Sequence, residues 1–240
     1  MKTLILIPSR MASKRFPNKP MALIAGKPMI QRVWERAISS KIGEVIVACS
    51  EKEVQECILS LGGKAILTNP DLPSGTDRIF EAIKKINAID QFNSIINLQG
   101  DMPLINPEDI IKVNKPLSQG FEIGTLVTDI TQDQIKDKNI TKARVDWIKE
   151  KDIGKATDFF KLSKNTKDNV YHHVGIYSFR YDSLKKFVSL PQSSLEIELK
   201  LEQMRALEAK MTIGVTYVKD IPISVDTKEE LKYVESIIKK

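Results

Sequence analysis

Four short stretches hold side chains whose types and spacing suit phosphate and metal chemistry. The first lies just beyond an apolar run, Leu4 to Ile7. From Arg10 to Pro20 every charge is positive (Arg10, Lys14, Arg15, Lys19), and Pro17 and Pro20 restrict the backbone. Open α/β sheets bind ligands beyond the carboxyl ends of their strands. Arg10, Arg15 and Lys19 placed there could neutralise a triphosphate and stabilise charge developing in a transition state. A solvated basic loop is the plainer alternative. The second stretch is Ser74-Gly75-Thr76-Asp77-Arg78. Ser74 or Thr76 can serve simply as a helix N-cap. A tight turn here would also let backbone and hydroxyl groups reach the edge of a base, with Arg78 as a cation near phosphate. The third is Gln99-Gly100-Asp101, which closes an apolar run, Ile95 to Leu98. A carboxylate at a strand end can hold Mg²⁺, which prefers carboxylate, water and phosphate oxygens. The alternative is a plain Gly-Asp turn. The fourth is Val225-Asp226-Thr227, followed by Glu230. It reads as a capping box or, functionally, as a second carboxylate for the same metal.

Such groups need strand ends and helix starts to position them, and the pattern of apolar residues supplies both. Strands are expected at 3–7, 44–49, 64–68 and 94–98, and helices at 28–39, 51–61 and 75–86. Met29, Ile30, Val33, Trp34, Ala37 and Ile38 form the apolar face of the first helix. Strands alternating with helices of this length indicate βαβ units and a parallel sheet. Beyond about residue 120 the alternation loosens. A strand is expected at 124–129, a hairpin within 142–160, a strand at 173–179, and helices at 195–209 and 228–239. No repeat or linker divides the chain. One domain over 1–240 is expected, with a nucleotide-binding part of about 1–120, a β-rich part of about 121–220 and a terminal helix of about 228–239.

Composition narrows the class. The net charge of +6 is spread along 240 residues and fits an anionic small substrate as well as nucleic acid. The aromatic residues are few and are not interleaved with basic ones, which argues against nucleic-acid binding. Cys49 and Cys57 are the only cysteines, and their spacing is not that of a metal site. No signal-peptide pattern opens the chain, and no apolar run approaches a membrane span. A cytoplasmic location is expected. A Walker loop and a strand-linked GxGxxG are both absent.

Taken together, the motifs resemble the 3-deoxy-manno-octulosonate (Kdo) cytidylyltransferase family of bacterial lipopolysaccharide synthesis. The resemblance covers nearly the whole chain. It rests on Ile7-Pro8-Ser9-Arg10, Ser13, Arg15-Phe16-Pro17-Asn18-Lys19-Pro20 and Gly26-Lys27-Pro28-Met29-Ile30. It continues through Ser74-Gly75-Thr76-Asp77-Arg78, Gln99-Gly100-Asp101, His173-Val174-Gly175-Ile176-Tyr177, Leu201-Glu202-Gln203-Met204-Arg205-Ala206-Leu207 and Val225-Asp226-Thr227. The opening pattern is shared with cytidylyltransferases of other acidic sugars, whereas the later motifs point to Kdo. Three departures stand out. Met102 replaces an acid, Ser50 replaces an aspartate, and Phe159-Phe160-Lys161 stands where family members carry Phe-Ser-Arg.

The resemblance implies a Rossmann-like α/β fold of the nucleotide-diphospho-sugar transferase type. Its sheet is mostly parallel with helices on both faces, and a β-rich insertion dimerises. It also implies that CMP passes from CTP to the anomeric hydroxyl of Kdo with release of pyrophosphate. Ser9, Arg10, Ser13, Arg15 and Lys19 would meet the nucleotide, with Ser74, Gly75, Thr76, Arg78 and Gln99 around it. Arg10, Lys19 and Asp101 would be catalytic, and Asp101 and Asp226 would bind Mg²⁺. Gln99, Lys161, His173, Tyr177 and Glu202 would bind the sugar. The expected partners are CTP, an acidic keto-sugar and a second copy of the chain, with no nucleic acid and no membrane. Lysine keeps the charge at position 161 but loses the bidentate fork of arginine. The 8-amino sugar is therefore one alternative substrate, and sialic or pseudaminic acid another. A basic RNA-binding protein is the alternative from a different class.

Overall fold

The structure, a computed structural model, describes residues 2–12, 15–86, 91–162 and 169–239. The chain forms two compact units, Met1–Ile110 with Pro222–Lys240, and Ile111–Ile221.

In the first unit, β1 (Thr3–Ser9) is followed by a small hairpin of β2 (Leu23–Ile24) and β3 (Lys27–Pro28). Helix Met29–Ser39, β4 (Gly43–Cys49), helix Lys52–Ser60, β5 (Lys64–Leu67), helix Gly75–Lys84 and β6 (Ser94–Asn97) come next. The strand order is β5-β4-β1-β6 and every pairing is parallel. Leu4 to Ile7 are fully buried. An unbroken apolar run is what a parallel strand covered on both faces requires. Because β4 and β5 lie to one side of β1 and β6 to the other, the connections reverse direction between β1 and β6. The carboxyl ends of that pair form the crevice where such sheets bind ligands.

β1 does not stop at Pro8 as its sequence suggests, but pairs with β4 through Ser9. Leu98 N donates to Leu6 O at 3.0 Å on the β6 side. Pro8, two residues on, faces the same way, beyond the last β1–β6 pair at Leu6 and Asn97. Its missing N–H therefore leaves no ladder bond unmade. Helix Met29–Ser39 buries Met29, Ile30, Val33 and Ala37, while Ile38, expected on that face, is exposed at its edge.

Phe16, Ile24, Met29, Val225 and Val234 form one apolar cluster. Phe16 anchors the cationic loop, Val225 precedes Asp226, and Val234 belongs to the C-terminal helix Lys228–Ile238. Burial of these residues fixes the loop and the C-terminal segment together.

The second unit contains β7 (Ile123–Thr128), β8 (Lys142–Lys149), β9 (Ile153–Phe160), β10 (Val170–Phe179) and β11 (Ile213–Tyr217). Their order is β10-β7-β11-β9-β8, and β8 also pairs with β10, so the five strands close on themselves. β7 and β11 run parallel, while the other pairings are antiparallel. The hairpin expected within 142–160 is β8–β9. The single helix expected at 195–209 is instead two, Ser194–Leu199 and Gln203–Glu208, broken where Lys200 adopts a left-handed φ of 55°. The break turns the chain back so that Arg205 Nε and Nη2 donate to the two carboxylate oxygens of Glu196, at 2.8 and 2.5 Å. On an unbroken helix these residues would stand about 13 Å apart along the axis, on opposite faces.

Candidate active site

Lys19 is the hub of the first unit's polar groups. It opens a short 3₁₀ turn, Lys19–Met21, after Asn18 in the left-handed region. Its Nζ donates to Asp101 Oδ2 at 2.8 Å and to Asp226 Oδ1 at 3.0 Å. Burial alone would lower the pKa of this ammonium, but the Asp101 and Asp226 carboxylates outweigh it and hold the pKa above the ordinary lysine value. Arg15, largely exposed, adds a contact of 2.8 Å from Nη2 to Asp226 Oδ2.

The two carboxylates arrive from different elements. Asp101 lies beyond the end of β6, and its carbonyl accepts from Val225 N at 2.8 Å. Asp226 directly precedes the C-terminal helix, where Thr227 is the N-cap and Glu230 completes the capping box. Glu230 Oε2 accepts from Asp226 N at 2.7 Å and from Thr227 N at 2.9 Å. The cap thus uses Thr227 and Glu230 and leaves the Asp226 carboxylate for Lys19 and Arg15.

The other motifs meet at the same strand ends. A side chain on Gly75 would begin 3.2 Å from Pro8 Cγ and 3.8 Å from Gln99 Oε1, and one on Gly100 only 2.8 Å from Pro8 O. Glycine at 75 and 100 lets the end of β1, the loop after β6 and the start of helix Gly75–Lys84 approach one another closely. Ser9 ends β1, and its buried Oγ has no hydrogen-bond partner among the described residues. Arg10 is exposed, and Ser13 lies outside the described residues. Gln99 Nε2 donates to Asn97 Oδ1 at 3.3 Å.

The Ser74–Arg78 segment has its own set of contacts, and of the two cap residues offered by the sequence Ser74 is the one used. Ser74 is the N-cap of its helix, and its hydroxyl accepts from Asp77 N at 3.1 Å and donates to Asp77 Oδ2 at 2.6 Å. Thr76 is fully buried and its Oγ1 accepts from Asn97 Nδ2 at 3.0 Å. Arg78 is also buried. Its guanidinium donates to Thr68 Oγ1 at 2.6 Å, Asn69 O at 3.0 Å and Pro70 O at 3.3 Å. Arg78 thereby braces the segment after β5. Burial lowers its pKa, Glu51 opposes that shift and Arg10 adds to it.

In the second unit, His173 and Tyr177 lie on β10 and are both buried. His173 packs edge-on against Phe159, with ring centroids 4.9 Å apart, and Thr125 Oγ1 lies 3.0 Å from its Nε2. Burial, and then His172, push the His173 pKa down to about 3. Tyr177 shares a narrow apolar pocket with Ile123, Phe179, Phe187, Glu202 and Gln203. Burial and the Glu202 carboxylate raise its pKa far above the ordinary tyrosine value. Lys161 follows β9 directly, and its carbonyl accepts from Lys142 Nζ at 2.7 Å. Sequence reasoning missed Thr125 and Lys142. A threonine in a strand and a lysine at a strand start carry no signal that separates them from their neighbours.

Among the described residues no group of three or more His, Cys, Asp or Glu side chains is placed to hold a metal ion. The donor set that does converge is Asp101 with Asp226. Two carboxylates suit a Mg²⁺ ion that takes its remaining ligands from water and substrate phosphates.

Residues 4–213 match the cytidylyltransferase family, which defines the class of nucleotidyltransferase to which this strand-end arrangement belongs. The 3-deoxy-manno-octulosonate cytidylyltransferase of Paramagnetospirillum magneticum is 42% identical over 239 residues, 98% of this chain and 97% of that protein. The protein of the same name from Bradyrhizobium sp. is 42% identical over 242 residues, 100% of this chain and 98% of its own length. A solved structure of CMP:2-keto-3-deoxy-manno-octonic acid synthetase complexed with CTP matches with a TM-score of 0.89 and 34% identity, covering 100% of this chain and 99% of that one. The chain belongs to the 3-deoxy-manno-octulosonate cytidylyltransferase family. The 4-diphosphocytidyl-2C-methyl-D-erythritol synthase of Anaerococcus prevotii, with a TM-score of 0.66 and 13% identity, shares the fold.

Proposed function

We propose that this chain transfers CMP from CTP to the anomeric hydroxyl of Kdo, releasing pyrophosphate, as a step of lipopolysaccharide synthesis. The observation that carries this reading is the convergence of Lys19 on Asp101 and Asp226 at the β1–β6 strand ends, in a chain with this family membership.

Arg10, Arg15 and Lys19 would hold the triphosphate and neutralise charge on the departing pyrophosphate. Ser9, Ser13, Ser74, Gly75, Thr76, Arg78 and Gln99 would lie along the nucleotide, with Arg78 also bracing the segment after β5. Asp101 and Asp226 would hold Mg²⁺. When bound, that ion supplies charge neutralisation at phosphate and lowers the pKa of a coordinated hydroxyl. Lys161, His173, Tyr177 and Glu202 would bind the acidic sugar together with Gln99. Holding the sugar hydroxyl in line with the α-phosphorus replaces a bimolecular encounter by a positioned one.

The chain would act in the cytoplasm as a homodimer and as one functional domain. No described helix is long and apolar enough to cross a membrane. The second reading keeps the reaction and changes the sugar to the 8-amino analogue. The departure at Lys161 motivates it, because lysine stands where the family's arginine would grip a carboxylate with two parallel hydrogen bonds, so the sugar contacts differ from the family pattern. Pyrophosphate release with CTP, Mg²⁺ and one acceptor at a time (Kdo, 8-amino-Kdo, sialic acid) tests both. Kdo should give the highest kcat/KM, and an 8-amino-Kdo value above it would transfer the assignment. The RNA-binding alternative predicts salt-sensitive RNA binding with no CTP turnover.

A further inference from the structure

β10 carries an irregularity where the sugar residues lie. Its pairing with β7 runs His172 to Thr128, His173 to Val127 and Val174 to Leu126, then jumps to Tyr177 opposite Thr125, leaving Gly175 and Ile176 as extra residues. Such bulges re-aim side chains and tend to sit beside active sites. The buried Thr125 hydroxyl fills this one. Its Oγ1 lies 2.8 Å from Ile176 O, 3.2 Å from Val174 O and 3.0 Å from His173 Nε2.

A hydroxyl has one proton and two lone pairs, and a carbonyl can only accept. If the Thr125 proton went to His173, its oxygen would face two carbonyl oxygens with nothing between them. If it goes to a carbonyl, both carbonyls gather around a donor, and the remaining contact is satisfied only when Nε2 carries hydrogen and donates to Oγ1. The second arrangement lets the one proton lie between the two carbonyls, nearer Ile176 O, and gives Oγ1 an N–H to accept from. It makes Nδ1 the unprotonated nitrogen, and Nδ1 has no hydrogen bond among the described residues. The ring is clamped by Phe159 at 4.9 Å and Tyr177 at 5.6 Å between centroids, so its plane is fixed as well as its proton.

We propose that Thr125 is a positioning residue that holds His173 as the Nε2–H tautomer, presenting Nδ1 as an acceptor for a hydroxyl of the acidic sugar. This rests on the assignment of His173 to sugar binding and specifies the chemistry of that contact. His173 reads a donor and offers nothing to the sugar carboxylate, which must find its cation elsewhere. The depressed pKa agrees, because the doubly protonated ring is not populated at neutral pH. A site built to hydrogen-bond a hydroxyl discriminates strongly against the analogue that lacks it.

Long-range ¹H–¹⁵N correlation of the histidine rings tests the tautomer in the unmodified protein, and the chain has only two histidines to assign. The expected result is one protonated nitrogen, Nε2, on His173, with Nδ1 in the unprotonated range. A protonated Nδ1 at neutral pH overturns the proposal. In kinetics, Thr125→Val is near-isosteric and should raise the sugar KM about tenfold, as loss of one oriented hydrogen bond does, with the CTP KM unchanged. Thr125→Ser, which keeps the hydroxyl, should restore the wild-type KM. A folded Thr125→Val protein with unchanged sugar KM, or a Thr125→Ser protein as impaired as Thr125→Val, also overturns it. If wild-type protein turns over CTP with no acidic sugar, the functional reading fails, and the ring spectrum still decides the tautomer.

Discussion

Lys19 Nζ lies 2.8 Å from Asp101 Oδ2 and, from the same atom, 3.0 Å from Asp226 Oδ1. One ammonium therefore separates the two carboxylates proposed to hold the metal. Remove it and the carboxylates repel one another. Lys19→Met should lower Tm at low metal, and Mg²⁺ alone should raise the Tm of the variant more than that of wild type. Equal Mg²⁺ shifts in the two proteins would contradict a metal held by this pair. In turnover, Asp101→Asn should cost roughly 10²-fold or more in kcat, several kcal/mol of transition-state stabilisation, with the fold intact by circular dichroism.

Gly100 joins β6 to Asp101 across a close backbone approach. A Cβ at this position would sit 2.8 Å from Pro8 O. Because the obstacle is backbone, neither side gives easily. Gly100→Ala should destabilise the protein by about 1–3 kcal/mol and raise the CTP KM by displacing Asp101. A melting curve and steady-state kinetics check this, and a neutral variant would mean that the loop after β6 moves freely off the end of β1.

Glu196 and Arg205 form a buried pair, with side chains 6% and 4% exposed. Burial pushes the Glu196 pKa up, but Arg205 and the Ser193 N–H outweigh it, so the folded pKa lies below the ordinary glutamate value. A depressed carboxylate pKa adds stability above the unfolded-state pKa, and this is lost as pH falls through the folded one. Glu196→Gln, which removes the Glu196 charge from the buried Arg205 guanidinium, should cost about 3 kcal/mol at neutral pH. The gap in Tm to wild type should narrow as pH falls below the ordinary glutamate range. A gap independent of pH would show that the charge on Glu196 contributes nothing.

Lys161→Ala should raise the sugar KM and leave CTP affinity by calorimetry unchanged. Lys161→Arg should preserve or improve Kdo use, because guanidinium can hold a carboxylate with two parallel bonds. Unchanged kinetics with every acceptor would return Lys161 to the role of a solvated strand-end residue.

The parallel sheet of the first unit was legible because buried parallel strands leave apolar runs such as Leu4–Ile7 and Ile95–Leu98, with amphipathic helices between them. The strand ends were legible for the same reason, and Asp101 and Lys19 follow from them. The burial of Arg78 was not legible because its partners, Thr68, Asn69 and Pro70, lie outside its own helix, and nothing local marks an arginine as buried. The broken helix at 195–209 hinges on Lys200 in a left-handed conformation, which lysine rarely signals. Thr125 acts across a strand pair on a bulge whose register only the assembled sheet defines. Local pattern carried the elements, while contacts between distant residues carried the roles.

The most direct test of CMP transfer is ³¹P NMR of the purified chain with CTP, Kdo and Mg²⁺. A phosphodiester resonance from CMP-Kdo and pyrophosphate in equal amounts are expected, both absent when Kdo is omitted. Conversion of CTP to CDP and inorganic phosphate, or no consumption of CTP with any acidic sugar, would contradict CMP transfer.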